Sequence, residues 1–278
     1  MSLLSVSLVL LAAMMHAGWN ALVKAVDDRA GVLAAVSAVH VLTGLALVLA
    51  VPPPAPASWP MIAASVALHF GYYILLFRSY ALGDLSQVYP ISRGIAPALV
   101  AVSAVVLIDE GLPPAGWTGI ALVSLGVAIL AFRRGAPQAP RGGVAFAICL
   151  GALIAAYSVA DGIGIRRSDS VFGYIGWLFL LEFPVPLVIA LRRHRSGGAI
   201  APRVAMLGAT AGLFAVAAYG IVLYINAVAP LGAVSAVRES SVVFAALIGI
   251  LVFGERPVAA RLVASVVVAT GVVTLALA

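Results

Sequence analysis

Apolar residues run along the chain in blocks of about 20, the length a helix needs to cross the hydrocarbon of a bilayer. Polar and helix-breaking residues collect in the short gaps between the blocks. The pattern predicts ten membrane-spanning helices, at residues 3–23, 31–51, 59–80, 85–108, 114–132, 143–163, 171–191, 204–227, 232–253 and 258–277. The gaps carry Pro, Gly and charge, as in PPPAPAS, DEGLPP and RRGAPQAPRGG, and none is long enough for a soluble domain. The first block, MSLLSVSLVLLAAMMHAGWNALV, lacks a basic leader and is long enough to span, so it reads as the first helix and not as a cleaved signal.

The pattern also repeats. A shift of 145 residues places Arg93 on Arg238, Glu110 on Glu255 and Gly126 on Gly271. The Pro/Gly-rich basic stretch 133–143 is the seam, giving two five-helix halves, 1–135 and 136–278. An odd number of spans per half means that the halves cross the membrane in opposite senses. The expected fold is therefore an all-α integral membrane protein of ten helices in two inverted repeats, an architecture many secondary transporters use.

Composition agrees with this picture. The chain is 64% hydrophobic and 9% charged, against about 45–50% and about 25% in a soluble domain. A soluble enzyme, a nucleic-acid binder and a disordered chain are excluded on that ground. The net charge of +6 belongs to the gaps. Twelve Lys and Arg residues, from Lys24 and Arg29 to Arg256 and Arg261, fall on one side of the ten-span arrangement. Only Arg166 and Arg167 fall on the other. The positive-inside rule then places both termini outside the cytoplasm of a bacterial-type inner membrane. The one cysteine, Cys149, lies in an apolar run and reads as a small core residue, with no internal disulfide open to it.

Charged residues within spans are expensive, about 2.5–3.5 kcal/mol at mid-bilayer on insertion scales, so they face a cavity or a partner. Arg93 and Arg238 lie inside the fourth and ninth spans, with Glu239 next to Arg238. Either arginine suits a substrate carboxylate, because its planar fork gives two parallel hydrogen bonds. A structural ion pair with Glu239 is the competing reading. Pro90 and Pro97 in the fourth span are expected to kink it. His16, Asn20 and Lys24 recur at i, i+4, i+8 on the first span, with Trp19 beside them. The third span offers His69, Tyr72 and Tyr73, its repeat mate offers Tyr219, and the sixth has Tyr157 and Asp161 on one face. Glu182, Glu239 and His69 are candidates for proton coupling. His40 and the basic-gap His194 carry less weight.

Two five-helix repeats, the segment Tyr89-Pro90-Ile91-Ser92-Arg93-Gly94 and the Gly254-Glu255-Arg256 that closes the ninth span resemble the EamA-type branch of the drug/metabolite transporter superfamily. The first half has Asp109-Glu110 where the second has Gly254-Glu255. The resemblance implies a ten-helix exporter of amino acids or similar metabolites, with a central cavity that adds Tyr89 and Ser92 to the substrate path. Hydrophobic-cation export and a non-transporting membrane scaffold are the alternatives.

There is no Gly-x-x-x-x-Gly-Lys phosphate loop, no metal-spaced His or Cys cluster and no serine nucleophile elbow. An enzyme is not expected, nor a cofactor or metal. The expected partners are a small-molecule substrate and the lipid bilayer, with no nucleic acid, and one chain holds both halves and can act as a monomer.

Overall fold

A computed structural model describes residues 1–81, 85–131, 143–195, 198–254, 256 and 258–278; the described side chains exclude those of 76–81, 85–89, 131, 186, 190, 193 and 194. The seam, Glu255 and the side chain of Tyr89 lie outside this set. Among the described residues the chain is all-helical. The helices are α1 (Leu3–Lys24), α2 (Arg29–Ala50), α3 (Trp59–Ala81), α4 (Leu85–Ile108), α5 (Pro114–Ala131) and α6 (Gly143–Arg166). They continue as α7 (Val171–Leu180), α8 (Pro184–Arg195), α9 (Pro202–Asn226), α10 (Leu231–Arg238), α11 (Ser241–Leu251) and α12 (Val258–Leu277). Seven segments are long and apolar enough to cross a membrane, counting 231–251 as one. The protein is thus a multi-pass membrane protein. Its outer faces are lined by exposed Leu42, Val106, Leu213 and Leu251, a surface suited to lipid and not to water.

Local chemistry sets several helix starts. The hydroxyl of Ser2 accepts from Ser5 N–H at 3.1 Å, Asp28 Oδ1 accepts from Gly31 N–H at 2.9 Å, and Ser170 caps α7 by accepting from Gly173 N–H. Each satisfies a backbone donor that the helix itself leaves open.

Two predicted single spans are pairs of shorter helices. The span over 171–191 breaks at 181–183, between α7 and α8. Pro184 removes a donor there and disfavours helical geometry in the residue before it. The span over 232–253 breaks at Glu239-Ser240 with no proline to mark it. There the chain tightens into i→i+3 bonds, Glu239 N–H to Ala236 O and Ser240 N–H to Val237 O, both 3.0 Å. By contrast α4 is assigned as helix without interruption through both Pro90 and Pro97. Cys149 is exposed on the outer face of α6, not in a core.

Glycines set the closest helix crossings. A Cβ at Gly44 on α2 would lie 2.7 Å from the Gly176 carbonyl oxygen and nearer still to the Leu180 backbone nitrogen on α7. Gly173, further back along α7, meets Pro52 O just beyond α2, so the two helices run antiparallel. Likewise α5 and α12 cross antiparallel, with Gly119 against Gly271 and Leu275, and Gly126 against Ala264 and Val268. Small residues are what allow membrane helices to pack this closely. We expect Gly44→Ala to destabilise the protein by about 1–3 kcal/mol, because backbone atoms cannot yield as a side chain can. Gly220→Ala, which meets nothing within 4 Å, is the control, and equal melting temperatures for the two variants in detergent would count against this account of the crossing.

The apolar core divides in two. One cluster joins α1, α5, α9, α10 and α12 through Val9, Ile120, Val123, Val222, Val234, Val268 and Leu275. The other joins α3, α6, α7 and α9 through Ile62, Ile165, Tyr174, Phe179 and Leu223. The polar interior lies between them.

Candidate functional site

A cavity of about 160 Å³ opens between the two clusters, with room for roughly ten waters. Helix α1 contributes His16, Trp19 and Asn20; α2 contributes Ser37 and His40. Helix α3 adds His69, Tyr72 and Tyr73, and α4 adds Arg93. Tyr157 of α6, Glu182 at the α7–α8 break, Tyr219 of α9 and Arg238 of α10 complete the polar and aromatic lining. The lining comes from the second half of α1 and the first half of α2, so the cavity lies toward the end of the bundle where these helices join. A mostly apolar groove of about 220 Å³ shares Asn20 with it and reaches Lys24, Phe253 and Arg261 at that same near end.

The walls are ordered by short contacts. Trp19 Nε1 donates to His16 Nδ1 at 3.2 Å, and the Asn20 amide donates to the His16 carbonyl at 2.7 Å. The His69 ring stacks on Tyr157 with centroids 4.1 Å apart, and Tyr219 meets His69 edge-on at 5.8 Å. Tyr72 stands across Tyr157 at 6.0 Å. The Arg238 guanidinium sits over the Tyr219 ring at 5.6 Å, a cation–π arrangement. It makes no ion pair among the described residues.

The acids within or beside the membrane have different partners. Glu182, 3% exposed, shares a hydrogen bond of 2.8 Å with His40 Nδ1, whose ring stacks on Phe179. Arg93 Nε donates to Glu239 Oε2 at 2.8 Å, with both side chains buried. Asp161 is fully buried and accepts from Tyr174 at 2.9 Å and from the Tyr219 hydroxyl. Glu110 pairs with Arg166 at 2.6 Å.

Two residues expected along the substrate path are absent from the cavity wall. Glu239 is turned toward Arg93 at the α10–α11 break and is 1% exposed. Ser92 is buried where α4 crosses α6, its carbonyl oxygen 2.8 Å from where a Cβ on Gly151 would lie. Pro90 lines the near-end groove. The wall also includes two α2 residues given little or no weight in the sequence, Ser37 and His40. Their i, i+3 spacing on one helix face was a legible signal.

At the far end of the bundle, α4 stops with Asp109 in the left-handed region at φ 53°, a helix-ending conformation. The Glu110 N–H then returns to the Ala104 carbonyl at 3.1 Å. This turn delivers the Glu110 carboxylate to Leu231 N–H, at 2.5 Å, at the start of α10. Arg166 at the end of α6 donates to the same carboxylate and to the carbonyls of Asn226 and Ala229, at 2.8 and 2.7 Å, where α9 ends. Two side chains thus tie four helix ends together. Between this clasp and the main cavity is a space of about 10 Å³ lined in part by Ser158, Asn226, Leu231 and Ser235, the size of one water.

By sequence, no family description and no curated protein matches the chain. In structure it resembles a protein known only by the words "Crystal structure of protein", with a TM-score of 0.78 at 17% identity, covering 100% of this chain and 98% of that one. A likeness at that identity speaks for the fold alone.

Proposed function

We propose that the protein is a secondary transporter that moves amino acids or similar small amphipathic metabolites out across a bacterial-type inner membrane by alternating access. The observation that carries this reading is the cavity itself. It is lined by charged, polar and aromatic side chains and shares Asn20 with a groove at one end of the bundle, while the Glu110–Arg166 clasp lies at the other end. Arg238 suits a carboxylate, since it lines the cavity and makes no ion pair among the described residues. Trp19, Tyr72, Tyr157 and Tyr219 suit the body of an amphipathic substrate. An amine would find Glu182 and His40 at the wall.

The ten-span inverted repeat belongs to the same proposal. In it α7 and α8 form the seventh span, and α10 and α11 the ninth. The second span of each half (α2 and α7) and the fifth of each half (α5 and α12) then meet antiparallel, which a two-fold axis in the membrane plane requires. In this reading the cavity mouth faces the cytoplasm and both termini lie outside, which the clustering of Lys and Arg supports.

Flux in proteoliposomes tests the reading. The wild type accelerates the movement of at least one member of a panel of amino acids, and Arg238→Ala lowers that flux at least tenfold with the protein still monodisperse. Absence of flux for the whole panel, or full activity in the variant, would overturn it. Aromatic rings beside Glu182 also suit an organic cation. Loss of transport in Glu182→Gln with Arg238→Ala intact would favour that substrate class. A non-transporting scaffold needs no wet chamber, and aqueous thiol labelling at Asn20→Cys argues for transport if it is rapid.

A further inference from the structure

We propose that Asp161 is the carboxylate that carries a coupling proton in the transport cycle, a role that rests on the transport reading above. Each acid in or beside the membrane has its own kind of partner. Glu239 is held by Arg93, and Glu110 by Arg166. A guanidinium has five donors and no acceptor, and it cannot lose its proton in a protein, so it matches the ionised acid alone. Glu182 shares its hydrogen bond with His40, so a proton passing between them stays within the pair.

The hydrogen-bond partners of Asp161 are hydroxyls: Tyr174 Oη on Oδ1 at 2.9 Å, Tyr219 Oη on Oδ2, and Ser65. A hydroxyl is both donor and acceptor and turns about its bond. Two tyrosines donate to the carboxylate; after protonation one of them turns and accepts the new O–H. Both charge states are therefore satisfied without moving a helix, which a fully buried acid needs if it is to cycle.

Its position suits the task. Asp161 is buried on α6, and no atom of it lines the cavity among the described residues. Tyr219 has its ring on the cavity wall and its hydroxyl on the acid, so it forms the proton's route between them. Asp161 is also on the closed side, five residues before Arg166 of the far-end clasp. Its tyrosine partners come from two other helices, Tyr174 on α7 and Tyr219 on α9. His69 on α3 also faces this cluster, joined through Nδ1 to Ser65 Oγ at 3.2 Å. Tyr157 of α6 lies against His69, and Arg238 of α10 lies over Tyr219. Arg93 of α4 is turned to Glu239. Loss of the proton charges the acid and strengthens its hold on both tyrosines; gain of the proton loosens that hold where the far side must open. The step balances as one proton taken up by a carboxylate oxygen and later released, with no bond between heavy atoms changed.

Infrared difference spectra of the full chain in nanodiscs, recorded across a pH step in H₂O and D₂O, test this without a substrate. The expected result is a carboxylic C=O band that shifts in D₂O, disappears in Asp161→Asn and persists in Glu182→Gln and Glu239→Gln. Tyr174→Phe, which keeps the ring's packing, moves the band in frequency and guards against a misfolded Asn variant. A band that survives in Asp161→Asn, or no titrating band at all in the wild type, overturns the proposal. In proteoliposomes, with the most rapidly moved amino acid of the panel, Asp161→Asn retains counterflow and loses acceleration by a pH gradient. If it keeps that acceleration the proposal falls. If the wild type moves no amino acid, the transport reading fails separately and the infrared band still decides whether Asp161 takes up a proton.

Discussion

Replacing Arg93 with Ala is expected to destabilise the protein by about 3–5 kcal/mol, the range found when one partner of a buried ion pair is removed. Arg93 is 3% exposed and Glu239 1%, and their bond of 2.8 Å links α4 to the break between α10 and α11. Without Arg93 the carboxylate stays in a low-dielectric interior without the cation it is bonded to. At 1% exposure it has no solvent beside it to take that place. The loss should appear as a melting temperature lower by on the order of 10 °C in detergent. Glu239→Gln costs less, since an amide oxygen still accepts from the guanidinium. The double variant Arg93→Met/Glu239→Gln recovers much of the loss, because replacing both partners removes the unmatched charge. A melting temperature within a few degrees of wild type in Arg93→Ala would mean that the pair is not the bolt described here.

This result also bears on how far the sequence could be read. Both intramembrane arginines were conspicuous, and so were Glu239 and Glu182, because each is a charge in an apolar run. What periodicity could not say was which arginine takes the acid. Adjacent residues on a helix point about 100° apart, so Arg238 and Glu239 are poor partners for one another. Arg93, 146 positions away, is the partner, and only the fold brings it there.

Helix ends were legible to within a few residues where Pro, Gly or charge stops an apolar block, as at Ala50 and Ile108. The break at 239–240 was not, since nothing in Arg238-Glu239-Ser240 forbids a helix. It arises where backbone geometry tightens around a buried charge. Pro90 and Pro97, expected to kink the fourth span, lie inside α4 without ending it. For the cavity wall, aromatic and histidine residues at helical spacing on the first and third spans were informative. Ser37 and His40 share one helix face at i, i+3 spacing, but a small hydroxyl and a histidine in an apolar run carry less weight than a charge. Asp161 was noticed only as a neighbour of Tyr157, and its two tyrosine partners depend on the crossing of α6 with α7 and α9.

Arg166→Gln is expected to open the far end of the bundle to water, raising its accessibility about 10- to 100-fold. The clasp uses two charged side chains to hold backbone groups. Glu110 caps the start of α10, while Arg166 covers two carbonyls where α9 ends and joins the acid to them. Charge-assisted bonds of this kind contribute about 1.5–3 kcal/mol each when dry. The side chains here are 27% and 18% exposed, so solvent screening reduces that, and about 1.5–3 kcal/mol for the whole network is the reasonable scale. That range corresponds to the stated shift in the balance of open and closed forms.

Ser235→Cys, in a Cys149→Ala background, reports from the small space beneath the clasp. An impermeant maleimide should label it slowly from the far face in the parent and at least tenfold faster with Arg166→Gln. Asn20→Cys in the main cavity gives the reciprocal measurement from the near face. If the two ends open alternately, its labelling slows as that of Ser235→Cys quickens. Local fraying at the far end would leave Asn20→Cys unchanged. A far-face rate unaltered by Arg166→Gln would show that the apolar packing around Leu231, and not the clasp, keeps that end shut.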